Sequence, residues 1–378
     1  MIGQKIRLYP TKEQQLVLDK MFKFAAHAYN KMLEYWKKCY NDYKSGIVKS
    51  SPSAYLVRDW YKNNKGLEFA NMTNMIIETE SEHLGNAFKK FFNKKAKYPK
   101  FKNEKSLCVK NSFSLNAKNK SICSTCNKIV KVNKFLRIKM AEEFKYKNPK
   151  VFTISKHLNE YYISICFDDS EFVLNCRANK ACGIDLGLKT NITLCDEDNN
   201  IYTYDQNKNK IKRFQNSISY YDKRLSRKNK NSKSFIKMIE KKYRKMINNQ
   251  NRNNDFYNKV ALDIVKKYDI IGIENLNVAG LKRNKHMSKS WNSATIGKFE
   301  KKLLNKANMY DKNVIKVDRT FPSSQLCSCC GKRKKMPLNK RVYVCECGIK
   351  MDRDANAAKN IMVEAQKIYK SQKNIMRG

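Results

Sequence analysis

The chain has 378 residues, with 79 Lys and Arg against 34 Asp and Glu, so its formal charge is 79 − 34 = +45. Hydrophobic residues at 41%, of which aromatics supply 11%, are enough for packed cores and exclude wholesale disorder, and at ~100 to 200 residues per domain the length predicts two or three domains. The positive charge is spread along most of the chain rather than gathered on one amphipathic helix, which points to nucleic acid as the partner instead of a membrane surface.

The opening MIGQKIRLYP carries no apolar signal core, and no run approaches the ~18 to 20 apolar residues that span a bilayer, so a cytoplasmic protein is expected. Thirteen cysteines in such a chain point to reduced thiols and metal ligation rather than disulfides. After Tyr9-Pro10, Thr11 and Gln14 form a capping box that predicts a long helix. Leu18, Phe22, Ala25, Tyr29, Met32, Trp36 and Tyr40 recur along it at spacings of three and four, a core-facing stripe, with His27 beside it read as a packed or surface histidine rather than a ligand. A second helical block is predicted from Ser53 to Lys95, with Phe88, Phe91 and Phe92 as core. From Ser112 to Phe167 the period becomes two, clearest in YYISICF, which predicts antiparallel strands. Cys123 and Cys126 have metal spacing without a second pair nearby, so a metal site and a simple turn both remain open.

ACGIDLGLKTNITLCDEDNNIYTY reads as a strand ending at Asp185, a bend at Gly187, a second strand, a DEDNN turn and a third strand. Asn207 to Lys259 holds seventeen Lys and Arg against three acids, with Ile236, Ile239, Tyr243, Met246 and Ile247 at helical spacing; a solvated charged helix is the ordinary reading, and the one-sided excess favours a helix lying along phosphates. YDIIGIENLNVAG is another short apolar strand, delivering Glu274. MDRDANAAKNIMVEAQKIYKS sets Asp354 in the first turn of a helix with the stripe Ala358, Ile361, Ala365. Asp352 competes with it for the third acidic role, and Asp354 is preferred because it begins the Ala-rich helix. Each acid alone has an ordinary explanation as a turn, strand-end or helix-start charge. Together they sit where an RNase H-type α/β fold gathers carboxylates around two Mg²⁺ ions, and carboxylates so clustered need cations to offset their repulsion. Between the last two acids, Cys327 and Cys330 (CxxCG) and Cys345 and Cys347 (CxCG) make a four-thiolate set for a structural zinc ribbon, with Cys329 an alternative register. The four histidines, His27, His83, His157 and His286, lie too far apart for HNH chemistry.

GIDLGLKTNITL, GIENLNVAGL, PSSQLCSCCG with CECG, and DRDANAAKNI resemble the nuclease and zinc-ribbon signatures of the TnpB family, transposon-encoded relatives of type V CRISPR effectors. KIRLYPTKEQ and YPKFK resemble that family's N-terminal half. The resemblance implies a multidomain α+β protein: a wedge β-barrel from residues 1–10 and 106–175, a helical recognition insertion at 11–105, and a RuvC-like, RNase H-like nuclease from 176–320 and 350–378 carrying a zinc ribbon at 321–349. It implies that Asp185, Glu274 and Asp354 hold Mg²⁺ and are catalytic, and that Cys327, Cys330, Cys345 and Cys347 hold Zn²⁺. The expected activity is cleavage of double-stranded DNA beside a short adjacent motif, directed by a guide RNA from the protein's own locus. A guided repressor, a minimal CRISPR effector and an unguided zinc-ribbon binding module are the alternatives. The helices around Tyr29, Trp36 and Trp60 lie in the half expected to meet guide and target.

Overall fold

A computed structural model describes residues 2–103, 111–117, 125–126, 128–133, 135–145, 148–167, 180–187, 190–230, 232–276, 296–337 and 340–375. The chain divides into two compact units, Met1–Glu171 and Phe172–Gly378, with mixed α and β structure in each.

The first unit opens with strand β1 (Ile2–Tyr9) and helix α1 (Lys12–Lys44). Gln14 N donates to Thr11 Oγ1 at 3.3 Å and Thr11 N to Gln14 Oε1 at 3.0 Å, closing the capping box. Leu18, Phe22, Ala25, Tyr29, Met32 and Trp36 are all buried, while Tyr40 packs at the edge of the same core. The helical block beyond Ser53 is two helices, α2 (Ala54–Asn63) and α3 (Asn74–Phe92), with a 3₁₀ turn at Leu67–Phe69 between them. The Asn63-Asn64-Lys65-Gly66 run ends α2, and Thr73 caps α3 afresh by accepting from Met75 N. Phe88 is core and Phe91 packs against it, but Phe92 is 50% exposed: it lies on the outward side of the last turn. Trp36 stacks on Phe88 with centroids 4.4 Å apart and Tyr35 on Trp60 at 4.1 Å, so the aromatics expected near nucleic acid serve largely to join α1 to α2 and α3.

Strands β2 (Asn111–Asn116), β3 (Thr125–Cys126), β4 (Ile129–Lys131), β5 (Arg137–Met140), β6 (Pro149–His157) and β7 (Glu160–Phe167) join β1 in one seven-stranded antiparallel sheet, order β2-β6-β7-β1-β5-β4-β3. The period-two pattern holds: Tyr161, Ile163, Ile165 and Phe167 are buried, while Cys166 between them is exposed. Cys123 and the side chain of Cys126 lie outside the described residues, and with them the reading of that pair.

The second unit is built on β8 (Ala181–Asp185), β9 (Ile192–Asp196), β10 (Ile201–Tyr204), β11 (Ile270–Glu274) and β12 (Asn313–Val317), ordered β10-β9-β8-β11-β12. β8, β11 and β12 are parallel, and β9 runs antiparallel to both neighbours. Helices α4 (Lys208–Ser226) and α5 (Lys233–Lys267) connect β10 to β11, and α6 (Ile296–Met309) precedes β12. The basic stretch expected to be one helix is thus two, separated by Arg227–Ser232, where Ser232 accepts from Phe235 N and starts α5. One face of the sheet packs Cys182, Ile184, Ile271 and Ile273 against Tyr257 and Ile264 of α5 and Phe299 and Leu303 of α6. Alternation puts the intervening residues, Gly183 and Asp185 on β8 and Gly272 and Glu274 on β11, on the other face. There helix α7 (Arg353–Ile375) crosses the sheet, with Ala358, Ile361 and Ala365 fully buried.

Candidate active site and metal centre

GID and GIE are the same device used twice. Gly183 and Gly272 are cross-strand partners, and a Cβ on Gly183 would stand 2.1 Å from Ala358 O and 2.4 Å from Met362 N. On Gly272 it would stand 2.7 Å from Ala365 Cβ and 2.8 Å from Ile361 O. The two glycines therefore form a trough in which the α7 backbone lies almost directly on the sheet. Two residues further along each strand, on the same face, come Asp185 and Glu274. The trough aims the N-terminus of α7, and so Asp354, at both.

The three acids come together. The Asp185 and Glu274 side chains hydrogen-bond each other, and Asp354 is close enough to perturb both. A Cβ on Gly187 would lie 3.9 Å from Asp354 Oδ2, so Asp354 hangs over the end of β8. Burial pushes the Asp185 carboxyl well above the usual range, and the neighbouring Glu274 and Asp354 carboxylates push it further. Glu274 is likewise raised by burial, against the opposing hydrogen bonds from Asp185 and from Ser323, whose Oγ donates to Oε1 at 3.1 Å. Two carboxylates in hydrogen-bond contact need either a shared proton or a cation, and an all-oxygen set from three elements suits a hard divalent ion such as Mg²⁺. Asp352 has different work. Exposed at the start of α7, it accepts from Asp354 N at 2.8 Å and Ala355 N at 3.2 Å, the part of a helix cap.

The ribbon follows β12. Cys327 and Cys330 come from one turn and Cys345 and Cys347 from another, the second flanked by the antiparallel pair β13 (Val342–Val344) and β14 (Lys350–Asp352). The four sulfurs all lie within 4.8 Å of one another, with Cys327 to Cys347 at 3.5 Å and Cys330 to Cys345 at 3.6 Å. Tetrahedral thiolates ~2.3 Å from zinc sit about 3.8 Å apart, so the cluster fits a structural Zn²⁺. The short CxC arm still delivers both its sulfurs. Gly331 (φ +73°) and Gly348 (φ +91°) take the left-handed turns after each arm, a conformation other residues enter only with strain. Burial works upward on the Cys327 thiol, but the amides of Cys330 and Cys329 prevail and hold it at about 6, favouring thiolate at neutral pH.

Three family models match: "Probable transposase" (OrfB_IS605) over residues 173–285, "Cas12f1-like, TNB domain" over 297–361, and the OrfB_IS605 "Helix-turn-helix domain" over 1–45. A Streptomyces pristinaespiralis protein named as an RNA-guided DNA endonuclease is 28% identical across 95% of this chain and 88% of its own length. The TnpB-like proteins L770 and R854 of Acanthamoeba polyphaga mimivirus are each 26% identical across 98% of this chain and 74% and 73% of theirs. Across nearly its whole length the chain is similar to TnpB-like proteins. A chain in a solved Cas12f1–sgRNA–target DNA complex is 17% identical at a TM-score of 0.35, covering 96% of this chain and 99% of that one.

The helix-turn-helix description does not fit this chain, whose residues 2–44 form one strand and one continuous helix. Sequence reasoning also missed residues around its acids. Arg341, from the ribbon, reaches both Asp354 oxygens at 3.5 Å. Asn356 and Asn360 of α7 donate to Leu326 O at 2.7 and 2.8 Å, Asn360 also to Ser323 O at 2.8 Å, and Asn356 Oδ1 accepts from Ser328 N at 3.0 Å. These bonds pin the loop carrying Ser323 and Cys327 to the helix carrying Asp354. The available signal was two asparagines four apart on an otherwise Ala-rich buried stripe.

Proposed function

We propose that the protein is an RNA-guided endonuclease that hydrolyses double-stranded DNA at Asp185, Glu274 and Asp354, next to a short adjacent motif. The observation that carries the reading is the convergence of the three carboxylates on the glycine trough, in a chain of charge +45 that is similar to TnpB-like proteins. The second unit's strand order, with β9 reversed between β10 and β8 and helices on both faces, supports an RNase H-like nuclease. The first unit's sheet and helices correspond on this reading to the wedge barrel (1–10, 106–175) and recognition insertion (11–105), and residues 321–349 to the zinc ribbon.

Asp185, Glu274 and Asp354 would hold the Mg²⁺ pair, which when bound supplies a nucleophilic water at neutral pH and neutralises charge on the leaving oxygen. Ser323 keeps Glu274 oriented through its hydrogen bond. Arg341, beside Asp354, adds fixed positive charge where phosphate must approach. Cys327, Cys330, Cys345 and Cys347 bind zinc and give the ribbon a core it is otherwise too small to build. The basic faces of α4 and α5 bind phosphates of guide or target.

Expression with the native flanking DNA tests the reading. One enriched RNA from the locus, retained through a high-salt wash, and Mg²⁺-dependent cutting of a matched target are expected; Asp185→Ala, Glu274→Ala and Asp354→Ala keep RNA and target binding but lose cutting. A heterogeneous smear of RNA points instead to an unguided binding module, and discrete RNA without cutting to a repressor.

A further inference from the structure

The α4–α5 pair leaves a cleft. Its larger lobe, of about 640 Å³, is lined by Lys210, Arg213 and Phe214 of α4 and by Lys245 and Arg252 of α5. None of these four cations has a carboxylate partner among the described residues. A smaller adjoining lobe of about 180 Å³ shares Lys210 and Arg252 and reaches the chain entering α4. Its lining includes Asp205, Gln206, Asn249, Asn253 and Phe256. Gln206 is only 8% exposed, and both its amide atoms, Nε2 and Oε1, are buried without a hydrogen-bond partner. Its backbone is fixed, since Gln206 N donates to Asn191 Oδ1 at 2.9 Å while Asp205 Oδ1 accepts from Asn191 N at 2.8 Å.

A buried amide lacking both donor and acceptor bonds is rare in a folded protein and marks a missing partner. Here it borders a cavity whose other polar groups are asparagine amides and a carboxylate, next to unpaired cations. Cations satisfy a phosphate, whereas an amide offering one donor and one acceptor complements a base edge. The smaller lobe has room for roughly one base and not a stacked pair, and a base inside a duplex cannot enter it.

We propose that this cleft is a nucleotide pocket holding one unstacked nucleotide of a single strand, its phosphates against Lys210, Arg213, Lys245 and Arg252 and its base in the lobe bordered by Gln206. It rests on the guided-nuclease reading only for the source of that strand, which is either guide RNA or displaced DNA.

The test uses the full-length chain and fluorescein-labelled twelve-nucleotide probes: oligo-U, oligo-dT and an abasic oligomer of the same backbone, followed by anisotropy across a salt series. Lys245→Ala and Arg252→Ala should weaken all probes about three- to tenfold, and each should flatten the slope of log affinity against log salt by about 0.7. Gln206→Met, of similar volume but without an amide, should hold its Tm or raise it, weaken the base-bearing probes about fivefold and leave the abasic probe unchanged. A photoreactive 4-thiouridine probe and its 4-thiothymidine counterpart should crosslink within residues 205–214 or 245–256, and the stronger of the two identifies RNA or DNA as the source. The pocket is overturned if crosslinks fall only elsewhere, or if a folded Gln206→Met variant binds base-bearing probes like wild type or weakens the abasic probe equally. Target cutting with crosslinks elsewhere removes the pocket alone. Crosslinks in the cleft of a protein that never cuts remove the nuclease reading alone.

Discussion

Replacing Gly183 by alanine would insert a methyl group where the α7 backbone already lies. Ordinary van der Waals contact begins near 3.4 Å, so the 2.1 Å separation from Ala358 O demands a shift of 3.4 − 2.1 = 1.3 Å. At Gly272 the nearest atom, Ala365 Cβ, is 2.7 Å away and the demand is 3.4 − 2.7 = 0.7 Å. The obstacles at Gly183 are backbone atoms of a helix that crosses several strands, so no side-chain rotation relieves them and α7 must lift. Overpacking of this kind costs about 1–3 kcal/mol, and at about 2–4 °C per kcal/mol for a unit of this size Tm should fall by roughly 2–12 °C. The functional loss should be larger, because Asp354 rides on the same helix while Asp185 and Glu274 stay on the sheet. A displacement of ~1 Å between reacting groups can cost about a hundredfold in rate. Calorimetry beside single-turnover target cleavage at saturating Mg²⁺ measures both quantities. Gly183→Ala should cut about a hundredfold more slowly and Gly272→Ala several-fold more slowly, with guide binding unchanged. Wild-type cleavage and Tm in Gly183→Ala, or a greater loss at Gly272 than at Gly183, would refute the trough as the device that aligns the acids.

Asp185→Asn should stabilise the metal-free protein. The carboxyl is raised in the fold above its ordinary value near 4, so its contribution is intact below pH ~4 and is lost as pH rises through the folded value. In EDTA at pH 7.5 the variant should therefore melt above wild type, and the gain should vanish as pH falls below about 4. The same variant should forfeit most of the Tm increase that Mg²⁺ gives wild type, and a lower Tm in EDTA contradicts the crowding argument. Asp352→Ala should lose a helix cap worth ~1 kcal/mol yet cut within about tenfold of wild type, whereas Asp354→Ala should fold and not cut; the reverse pattern in a cleavage assay exchanges the two assignments. Elemental analysis should find one zinc per chain in wild type and none in Cys327→Ser or Cys347→Ser, which should also melt earlier; zinc retained by Cys347→Ser means that the CxC arm is not a ligand arm.

Features set by near neighbours along the chain are legible in the sequence itself. The Thr11–Gln14 box, the stripe from Leu18 to Trp36, the alternation in YYISICF and the paired cysteine turns each follow from local geometry, since helix and strand periods decide which side chains share a face. The ends of β8 and β11 and the start of α7 are legible in the same way, and so are the elements carrying Asp185, Glu274 and Asp354. The split of the Ser53–Lys95 block and the exposure of Phe92 are harder to read, because composition alone does not say which turn of an amphipathic helix lies beyond the edge of its partner. Asp354 is already the preferred third acid from the Ala-rich helix it begins; tertiary structure adds that Asp352, one residue removed and of the same charge, caps α7 instead. Tertiary structure alone brings Arg341 and Ser323 to those acids and opens a cleft between α4 and α5. The physical reason is distance along the chain: Ser323 meets Glu274 across 49 positions, and the glycine trough joins Gly183 to residues beyond 350. Such contacts depend on how whole elements stack, and no local period encodes them.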